Sequence, residues 1–245
     1  MKVLLTYIAV LFQVVLFAQN GWEECTLEQY TQAILASESN VNEGESYSFD
    51  SEYLFYTSLT INEAELTMQS SLICNEGKEI YLSQFGRLMY QNEIIKIVCD
   101  TADKKIVLSD PEPAFFKRRI TSDFDLLLNS NCKVKKKESK LLSKYYFEFS
   151  KNPKYLAAEI WLSNLDMVKR YILYTSTEIL DDSKEQERLI QPRLEVIFNN
   201  YKSGKLVEVQ KMKTTEDFIT IIDGAYSAHK DYKDFEIIDL RNSNN

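Results

Sequence analysis

Apolar and polar side chains alternate with a period of two through much of the first half of the chain. The clearest stretch runs from Ala64 to Cys74, where every second position is apolar except position 70: Leu66, Met68, Leu72 and Cys74. This period is that of a strand with one buried face. The sequence therefore predicts a half-buried strand here.

Turn residues divide this half of the chain into a meander. Asn75-Glu76-Gly77 predicts a hairpin turn, Gly86 and Gln91-Asn92 end the next two apolar stretches, and Asp110-Pro111-Glu112-Pro113 ends the last. Between them the pattern predicts a strand at Lys78–Phe85, a short apolar triplet at 88–90, and strands at Ile94–Cys99 and Ile106–Ser109.

Strand patterns resume in the second half. They predict strands over Tyr145–Phe149, Ala158–Leu162, Val168–Thr175 and Arg193–Tyr201, followed by a Lys202-Ser203-Gly204 turn into a strand over Lys205–Met212. The segment from Leu180 to Gln191 is strongly charged and has no period of two. We interpret it as an exposed loop or short helix inserted into the domain.

Helical spacing is confined to two segments. Thr26 is suited to cap a helix over Thr26–Ser37 with Leu27, Tyr30, Ile34 and Leu35 facing inward. A second helix is predicted over Asp123–Asn129, with Phe124, Leu127 and Leu128 inward. The strands continue on both sides of it without a linker, so we predict a single α+β domain, mostly antiparallel, whose sheet curls around helices.

The N-terminus has the pattern of a cleavable signal peptide. Lys2 precedes an apolar run from Val3 to Ala18, interrupted by Thr6 and Gln13. Cleavage after Ala18 or Gln19 leaves about 226 residues as the domain at 20–245, without a second apolar run long enough to span a membrane. We therefore expect an exported chain with no membrane span after cleavage.

The mature chain is acidic. Without Lys2 it has 28 basic and 37 acidic residues, a net charge of 28 − 37 = −9. Nucleic-acid binding requires basic stripes that neutralise phosphates. We therefore expect no nucleic-acid partner.

Four cysteines permit two disulfides in an exported chain: Cys25, Cys74, Cys99 and Cys132. Strand reversals place Cys74 and Cys99 at opposite ends of the sheet, beyond the Cα separation of about 7 Å that a disulfide permits. We expect Cys25 bonded to one of the others, or four free thiols. Their spacing and a single histidine give no metal site and no cofactor.

The stretch from Leu72 to Pro111 has a specific order of strands and turns, LICNEGKEIYLSQFGRLMYQNEIIKIVCDTADKKIVLSDP. It resembles the periplasmic outer-membrane lipoprotein carriers, the Lol-type half-barrel superfamily. The resemblance continues through DFDLLLNS at 123–130, AEIWLSNLDMVKRYILYTS at 158–176 and PRLEVIFNNY at 192–201. It implies an unclosed half-barrel with a helical lid and an apolar cavity for acyl chains.

The chain departs from these carriers at two positions. Gln91-Asn92-Glu93 stands where they usually have a Ser-Asp-Gly turn, and Asn75 where they place an arginine thought to govern closure of the lid. The cargo is therefore left open.

Residues suited to catalysis are few. His229 is the single histidine and lies in a polar context, and neither Asp181-Asp182 nor Asp123 with Asp125 has the apolar setting that acid/base work requires. We predict no catalytic residue and no enzyme, with a hydrolase held in reserve. Lysines at 133, 135, 136 and 137 could attract anionic lipid headgroups, although an exposed strand rim is the more common role.

Two functions follow. The first is a non-enzymatic periplasmic carrier that holds a lipid or lipidated protein against an apolar wall made of Leu66, Met68, Leu72, Ile80, Leu82, Ile95 and Ile97. The second is a structural or adaptor protein of the bacterial envelope, with a filled interior and a protein partner docked on the 180–191 loop or an outer strand.

Overall fold

Thirteen strands form one continuous sheet in the computed structural model, which describes residues 21–39, 44–58, 63–112, 132–150, 152, 154–163, 167–176, 179–181, 188–190, 192–222 and 225–241. The strands of this sheet are β1 (Glu23–Cys25), β2 (Tyr47–Tyr56), β3 (Leu66–Asn75), β4 (Glu79–Gln84), β5 (Arg87–Gln91), β6 (Lys96–Asp100), β7 (Lys105–Ser109), β8 (Cys132–Glu138), β9 (Leu142–Phe149), β10 (Tyr155–Ser163), β11 (Val168–Thr175), β14 (Arg193–Ser203) and β17 (Glu236–Asp239). Two separate hairpins consist of β12 (Ile179–Asp181) with β13 (Arg188–Ile190), and β15 (Ile219–Ile222) with β16 (Ala225–Ala228). The helices are α1 (Leu27–Ser39) and the four-residue α2 (Thr215–Phe218).

The sheet consists of two meanders joined at a seam. Its strand order is β1-β8-β9-β10-β11-β14-β2-β3-β4-β5-β6-β7-β17. One meander is β2 to β7, the other is β8 to β11, and β14 lies between β11 and β2 and pairs with both. All pairs are antiparallel except β7 with β17, which is parallel. We call the β14–β2 pair the seam.

The sheet is mostly antiparallel and does not close, because β1 lies at one end of the strand order and β17 at the other. This confirms the predicted fold class, an unclosed half-barrel of the α+β type. None of the helices in the described ranges is long and apolar enough to cross a membrane.

Helix α1 begins at a reciprocal cap. The Thr26 hydroxyl accepts a hydrogen bond from the Gln29 backbone N–H at 3.2 Å, and the Gln29 side chain accepts one from the Thr26 N–H at 2.9 Å. Tyr30 and Ile34 are buried on the sheet, as the helical spacing predicts. Leu27 and Leu35, which we also expected inside, are exposed, because only a narrow stripe of this helix meets the sheet.

The hairpin turns have the backbone that their sequences require. Asn75 accepts a hydrogen bond from the Lys78 N–H at 2.9 Å, and the two residues between them, Glu76 and Gly77, both have positive φ, at 49° and 66°. Positive φ at both central residues is typical of the two-residue turns whose backbone matches the right-handed twist of paired strands. Phe85 and Gly86 repeat the pattern between β4 and β5, with φ of 52° and 78°.

Two predictions for the second half are wrong. Residues 205–212 do not form a strand: Gly204–Leu206 and Val209–Lys211 are 3-10 turns that carry the chain to the other face of the sheet, where Val207 and Met212 are buried. The 180–191 segment is neither loop nor helix throughout, because β12 and β13 pair within it. The predicted leader and the predicted helix at 123–129 lie outside the described residues.

Candidate functional site

The two faces of the sheet are covered at different places. On one face α1 packs over β8 to β11, and we call this the α1 face; its core contains Tyr30, Ile34, Val134, Tyr145, Phe147, Phe149, Ala158, Ile160, Leu162 and Val168. On the opposite face the C-terminal segment from Val207 onward packs over β3 to β7, and we call this the C-terminal face; its core contains Ile73, Tyr90, Ile95, Ile97, Cys99, Ile106, Leu108, Val207, Met212, Phe218, Ile219 and Tyr232.

A third apolar group lies on the α1 face, on the strands beyond the reach of α1. Cross-strand register aligns one row of it directly, from β2 to β6: Phe49, Leu72, Leu82, Met89 and Val98. Further members lie on the same face in neighbouring rows, and we call the whole set the apolar wall: Phe49, Tyr53, Leu66, Met68, Leu72, Cys74, Ile80, Leu82, Met89 and Val98.

The apolar wall differs from the two cores in what packs on it. Each of the two cores combines strand residues with residues of a covering segment. The buried cluster within the wall, formed around Cys74, Ile80 and Met89, is made of strand residues alone among those described. The wall is therefore the apolar part of the sheet for which the described structure supplies no covering helix.

Five of the seven predicted wall residues lie together on this face: Leu66, Met68, Leu72, Ile80 and Leu82. The other two do not join them. Ile97 pairs with Tyr90 and Leu108 on the C-terminal face, and Ile95 is buried in the same core. The alternation within Lys96–Asp100 places Val98, which we did not select, on the α1 face instead.

Burial decreases along the wall from one end of the strands to the other. Ile80, near the β3–β4 turn, is 1% exposed, whereas Leu66 at the far end of β3 is 49% exposed. Phe85 is also exposed at this end, and its ring packs edge-on against Tyr53 with centroids 4.9 Å apart. The wall thus opens toward solvent at the end where β2 finishes and β3 begins.

Two serines lie in the middle of the wall. Ser51 of β2 and Ser70 of β3 are directly opposite each other, between the row of Phe49 and Leu72 and the row of Tyr53 and Met68. Both are buried. Because a serine is much smaller than its apolar neighbours, this position is a low point in the wall surface.

Aromatic rings connect the wall to the α1 core across the seam. Tyr47 stacks on Phe49 with centroids 6.5 Å apart, Phe49 packs edge-on against Phe198 at 5.6 Å, and Phe198 contacts Tyr171 at 5.9 Å. Tyr171 and Phe198 are partly buried against the α1 core. The α1 face is therefore apolar and continuous from β11 to β6.

Polar groups close the buried end of the wall. Gln91 is fully buried, and its side-chain amide pairs in both directions with the backbone of Glu112, at 3.0 and 3.1 Å. Burial, and then the neighbouring Cys74, raise the pKa of Tyr47. Burial likewise raises the pKa of the Cys74 thiol. Both groups stay neutral at pH 7, which keeps this end of the wall uncharged.

The seam is charged on its other face. Glu195 of β14 is buried between the guanidinium groups of Arg170 and Arg193, and Arg193 stacks over the Tyr56 ring at 4.0 Å. The two guanidinium groups compensate the charge of this buried carboxylate. Removing the carboxylate would leave both arginines without it. The seam is thus apolar toward the wall and ionic away from it.

All four cysteines are free thiols. Cys74 belongs to the wall cluster and Cys99 to the C-terminal core on the opposite face, so these two cannot bond, as expected. Cys25 and Cys132 both pack against the α1 core, on the neighbouring strands β1 and β8.

Of the residues weighed for catalysis, the structure describes only His229 and Asp181. His229 lies in a turn, where its Nδ1 accepts a hydrogen bond from the Asp231 backbone N–H at 3.4 Å. Asp181 ends β12, and Asp123, Asp125 and Asp182 lie outside the described residues. Within the part of the chain that the structure describes, no three His, Cys, Asp or Glu side chains are grouped to hold a metal ion.

The sequence analysis missed strand β2 and with it the aromatic part of the wall. The signal was present, because Tyr47, Phe49, Tyr53 and Phe55 occur at a period of two. Polar Ser51 interrupts the apolar positions, whereas the acidic residues Asp50 and Glu52 occupy the alternate positions. Since these residues alternate between the faces of a central strand, the pattern was that of a strand throughout.

No protein-family model matches the chain, and no relative is found among curated proteins. The fold is similar to solved structures at low identity. An uncharacterized conserved protein from Thermus thermophilus aligns over 86% of this chain and 99% of its own, at 12% identity and a TM-score of 0.43. A LolA superfamily protein from Nitrosomonas europaea aligns over 75% and 97%, at 8% identity and a TM-score of 0.31.

A third similar structure is a domain from Vibrio parahaemolyticus named for outer membrane lipoprotein sorting, which aligns over 74% of this chain and 94% of its own, at 9% identity and a TM-score of 0.27. At these values the similarity to all three structures is remote.

Proposed function

We propose that this protein is a non-enzymatic carrier that holds the acyl chain of a lipid or lipidated protein against the apolar wall. The observation that carries the proposal is the wall itself: a continuous apolar surface on β2 to β6, formed by strand residues alone within the described structure and open at one end. Burying an acyl chain contributes about 0.8 kcal/mol for each methylene group, without any specific polar contact.

The geometry of the wall is suited to a long, thin ligand. Neighbouring strands lie about 4.8 Å apart, so the row from Phe49 to Val98, which crosses five strands, is roughly 19 Å long. Phe85, Leu66 and Tyr53 lie at the open end. An acyl chain would enter there and leave its polar head in water.

The place of action that suits such a carrier is the periplasm. The apolar run from Val3 to Ala18 supports export, and an aqueous compartment between two membranes is where acyl chains need to be shielded. Cell fractionation, with the N-terminus of the recovered protein read by mass spectrometry, tests this. A mature N-terminus at residue 19 or 20 in the periplasmic fraction is expected, and recovery of the intact chain from the cytoplasm contradicts it.

The carrier proposal is tested on protein purified without detergent. We expect co-purified lipid by mass spectrometry and an apolar fluorescent probe that fatty acid displaces. Met68→Lys places a charge on the wall and should weaken probe binding at least tenfold. Gln69→Lys is the matched control, because Gln69 is the next residue of β3, exposed on the opposite face.

Two outcomes contradict the carrier. One is the absence of both co-purified lipid and displaceable probe. The other is an equal loss of probe binding in Met68→Lys and Gln69→Lys, which would locate the probe elsewhere.

A second candidate is the adaptor with a filled interior, favoured by the burial of Cys74, Ile80 and Met89. If the whole wall is filled, no probe binds, and a protein partner should co-purify in fixed stoichiometry. Replacing residues 182–187, which join β12 to β13, by a short glycine linker would then release that partner if the hairpin is the docking site.

A further inference from the structure

The β8–β9 hairpin has a charge opposite to that of the rest of the chain. Between Cys132 and Phe149 there are six lysines and two glutamates, a net charge of +4. The whole chain has a net charge of −8, so the remainder carries −8 − 4 = −12. Such local asymmetry in an acidic protein indicates an interaction surface for an anionic partner.

Three further lysines lie toward the tip of the hairpin. Its two glutamates pair with lysines of β8, Glu138 with Lys136 and Glu148 with Lys135. Glu23 and Glu24 of β1 also lie opposite Lys136 and Lys135. Lys137 and Lys144 face each other nearer the turn, on the face opposite α1, and Lys140 is exposed in the turn itself.

An apolar side chain projects from this basic tip. Leu141 is 70% exposed, in a turn fixed by hydrogen bonds between Ser139 and Leu142. The next strand contributes Trp161, with the Lys144 Nζ 3.5 Å above its ring and the Arg170 guanidinium 4.7 Å away. Leucine, tryptophan and lysine together are the side chains that favour the boundary between lipid headgroups and acyl chains.

We propose that the tip of the β8–β9 hairpin, formed by Lys137, Lys140, Leu141, Lys144 and Trp161, docks the protein reversibly on a membrane surface rich in anionic phospholipid headgroups. The lysines attract the headgroup phosphates, and Leu141 enters the headgroup layer. This surface is distinct from the apolar wall, so its test does not depend on whether the wall holds a lipid.

A lipid surface fits this tip better than an acidic protein does. An acidic protein would present its carboxylates in fixed positions. Such carboxylates pair best with basic side chains that are also held in fixed positions. Here Lys140 and Leu141, both exposed, are in a turn, and a long lysine side chain and an exposed leucine both suit a surface that adapts to them.

The test is co-sedimentation of the full chain, recovered as a bacterial host processes it, with vesicles. Vesicles of phosphatidylcholine with one third phosphatidylglycerol are compared with vesicles of phosphatidylcholine alone. We expect binding to the anionic vesicles that weakens as salt is added and little binding to the neutral ones. Each lysine near the surface contributes a factor of about five in affinity.

The variants separate charge from insertion. Lys137→Gln with Lys140→Gln should weaken binding at least tenfold, and Leu141→Ser should weaken it about threefold to tenfold without changing the salt dependence. Leu206→Ser is the matched control, because Leu206 is 73% exposed and also follows a lysine, Lys205. Lys205→Gln with Lys230→Gln is the control for charge, since both lysines are exposed.

Three results would overturn the proposal. One is equal binding to neutral and anionic vesicles. Another is loss of binding in the control variants to the same degree as in the hairpin variants. The third is tighter, equally lysine-dependent binding to immobilised polyglutamate, which would assign the tip to an acidic protein.

Discussion

The two halves of the sheet bury the same kind of residue on opposite faces. Over β8 to β11 the cover is the single helix α1, which inserts Tyr30 and Ile34. Over β3 to β7 the cover is the C-terminal segment, which inserts Val207, Met212, Phe218, Ile219 and Tyr232 from the other side. The difference teaches that the two meanders are not equivalent repeats: the side that is covered changes at the seam.

This change of side leaves the apolar wall outside the C-terminal cover. If the C-terminal segment packed on the α1 face, it would cover Leu72, Leu82 and Met89. Instead it covers Ile97, Ile106 and Leu108, which lie on the opposite face of the sheet. Among the described residues, the apolar cluster on this part of the α1 face consists of strand residues alone.

The largest effects should come from emptying each core in turn. Phe147 of β9 and Phe218 of α2 are both fully buried, the first under α1 and the second within the C-terminal cover. Replacing either by alanine should lower the free energy of unfolding by about 3–5 kcal/mol, through lost apolar burial and the cavity left behind. Urea unfolding followed by far-ultraviolet circular dichroism measures it.

The same curves test the prediction that residues 20–245 are one domain. One cooperative unit gives a single transition that both variants shift. Two transitions, one moved by Phe147→Ala and the other by Phe218→Ala, would divide the chain into two domains at the seam. Ile97→Val, a smaller change in the C-terminal core, should shift the same transition as Phe218→Ala but by only about 1 kcal/mol.

An intermediate effect is expected from the thiol of the C-terminal core. Burial raises the pKa of Cys99 to about 11 from its ordinary value of 9.0, although Lys213 partly opposes this. The unfolded thiol therefore ionises before the folded one as pH rises. The stability gained by keeping this thiol neutral is complete below about pH 9. It is lost toward pH 11, where the free energy of unfolding is lower by roughly 2–3 kcal/mol.

Cys99→Ala removes this titration. The difference in unfolding free energy between wild type and Cys99→Ala should shrink or reverse between about pH 8 and about pH 10.5. Cys25→Ala, at a half-buried thiol on the other half of the sheet, should show a smaller change with pH. An unchanged difference for Cys99→Ala would mean that this thiol is not kept neutral by the core.

The smallest effects should come from the helix caps of the two covers. The Gln29 side chain accepts the Thr26 N–H at 2.9 Å, and the Asp217 carboxylate accepts the Thr214 N–H at 2.8 Å. Gln29→Ala and Asp217→Ala should each cost about 1 kcal/mol. The exposed neighbours Glu28 and Glu216 supply the matched alanine controls.

A large loss from Gln29→Ala alone would make α1 the more cap-dependent cover. Equal losses would show that both covers depend on their first turn to the same extent. A loss in Glu28→Ala as large as in Gln29→Ala would contradict a role for the cap.

Period-two patterning located most of the sheet from the sequence, because one face of each of these strands is more buried than the other. It also placed Leu66, Met68, Leu72, Ile80 and Leu82 together. It misplaced Ile97, because Lys96–Asp100 is apolar at both Ile97 and Val98 and packs on both faces, so alternation alone could not decide which side faces the wall.

The C-terminal cover was not predicted at all. It consists of 3-10 turns, a four-residue helix and two short strands in a hairpin, elements too short to give a period. The predicted strand over Lys205–Met212 was wrong for the same reason, since Val207, Val209 and Met212 are apolar but are set by turns. These residues are buried only through their contacts with the sheet, which the local sequence does not reveal.

The seam also bears on how fast the protein can fold. Asn200 of β14 donates a hydrogen bond at 2.8 Å to Asp50 of β2, and these residues are 150 positions apart. Contacts of such sequence separation form slowly, because a long chain must be closed before they are gained. Until β14 arrives, one edge of β2 exposes unpaired backbone groups that can pair with other chains. Refolding should therefore be slow and sensitive to concentration, and the molecule is most prone to aggregate before β14 has paired with β2.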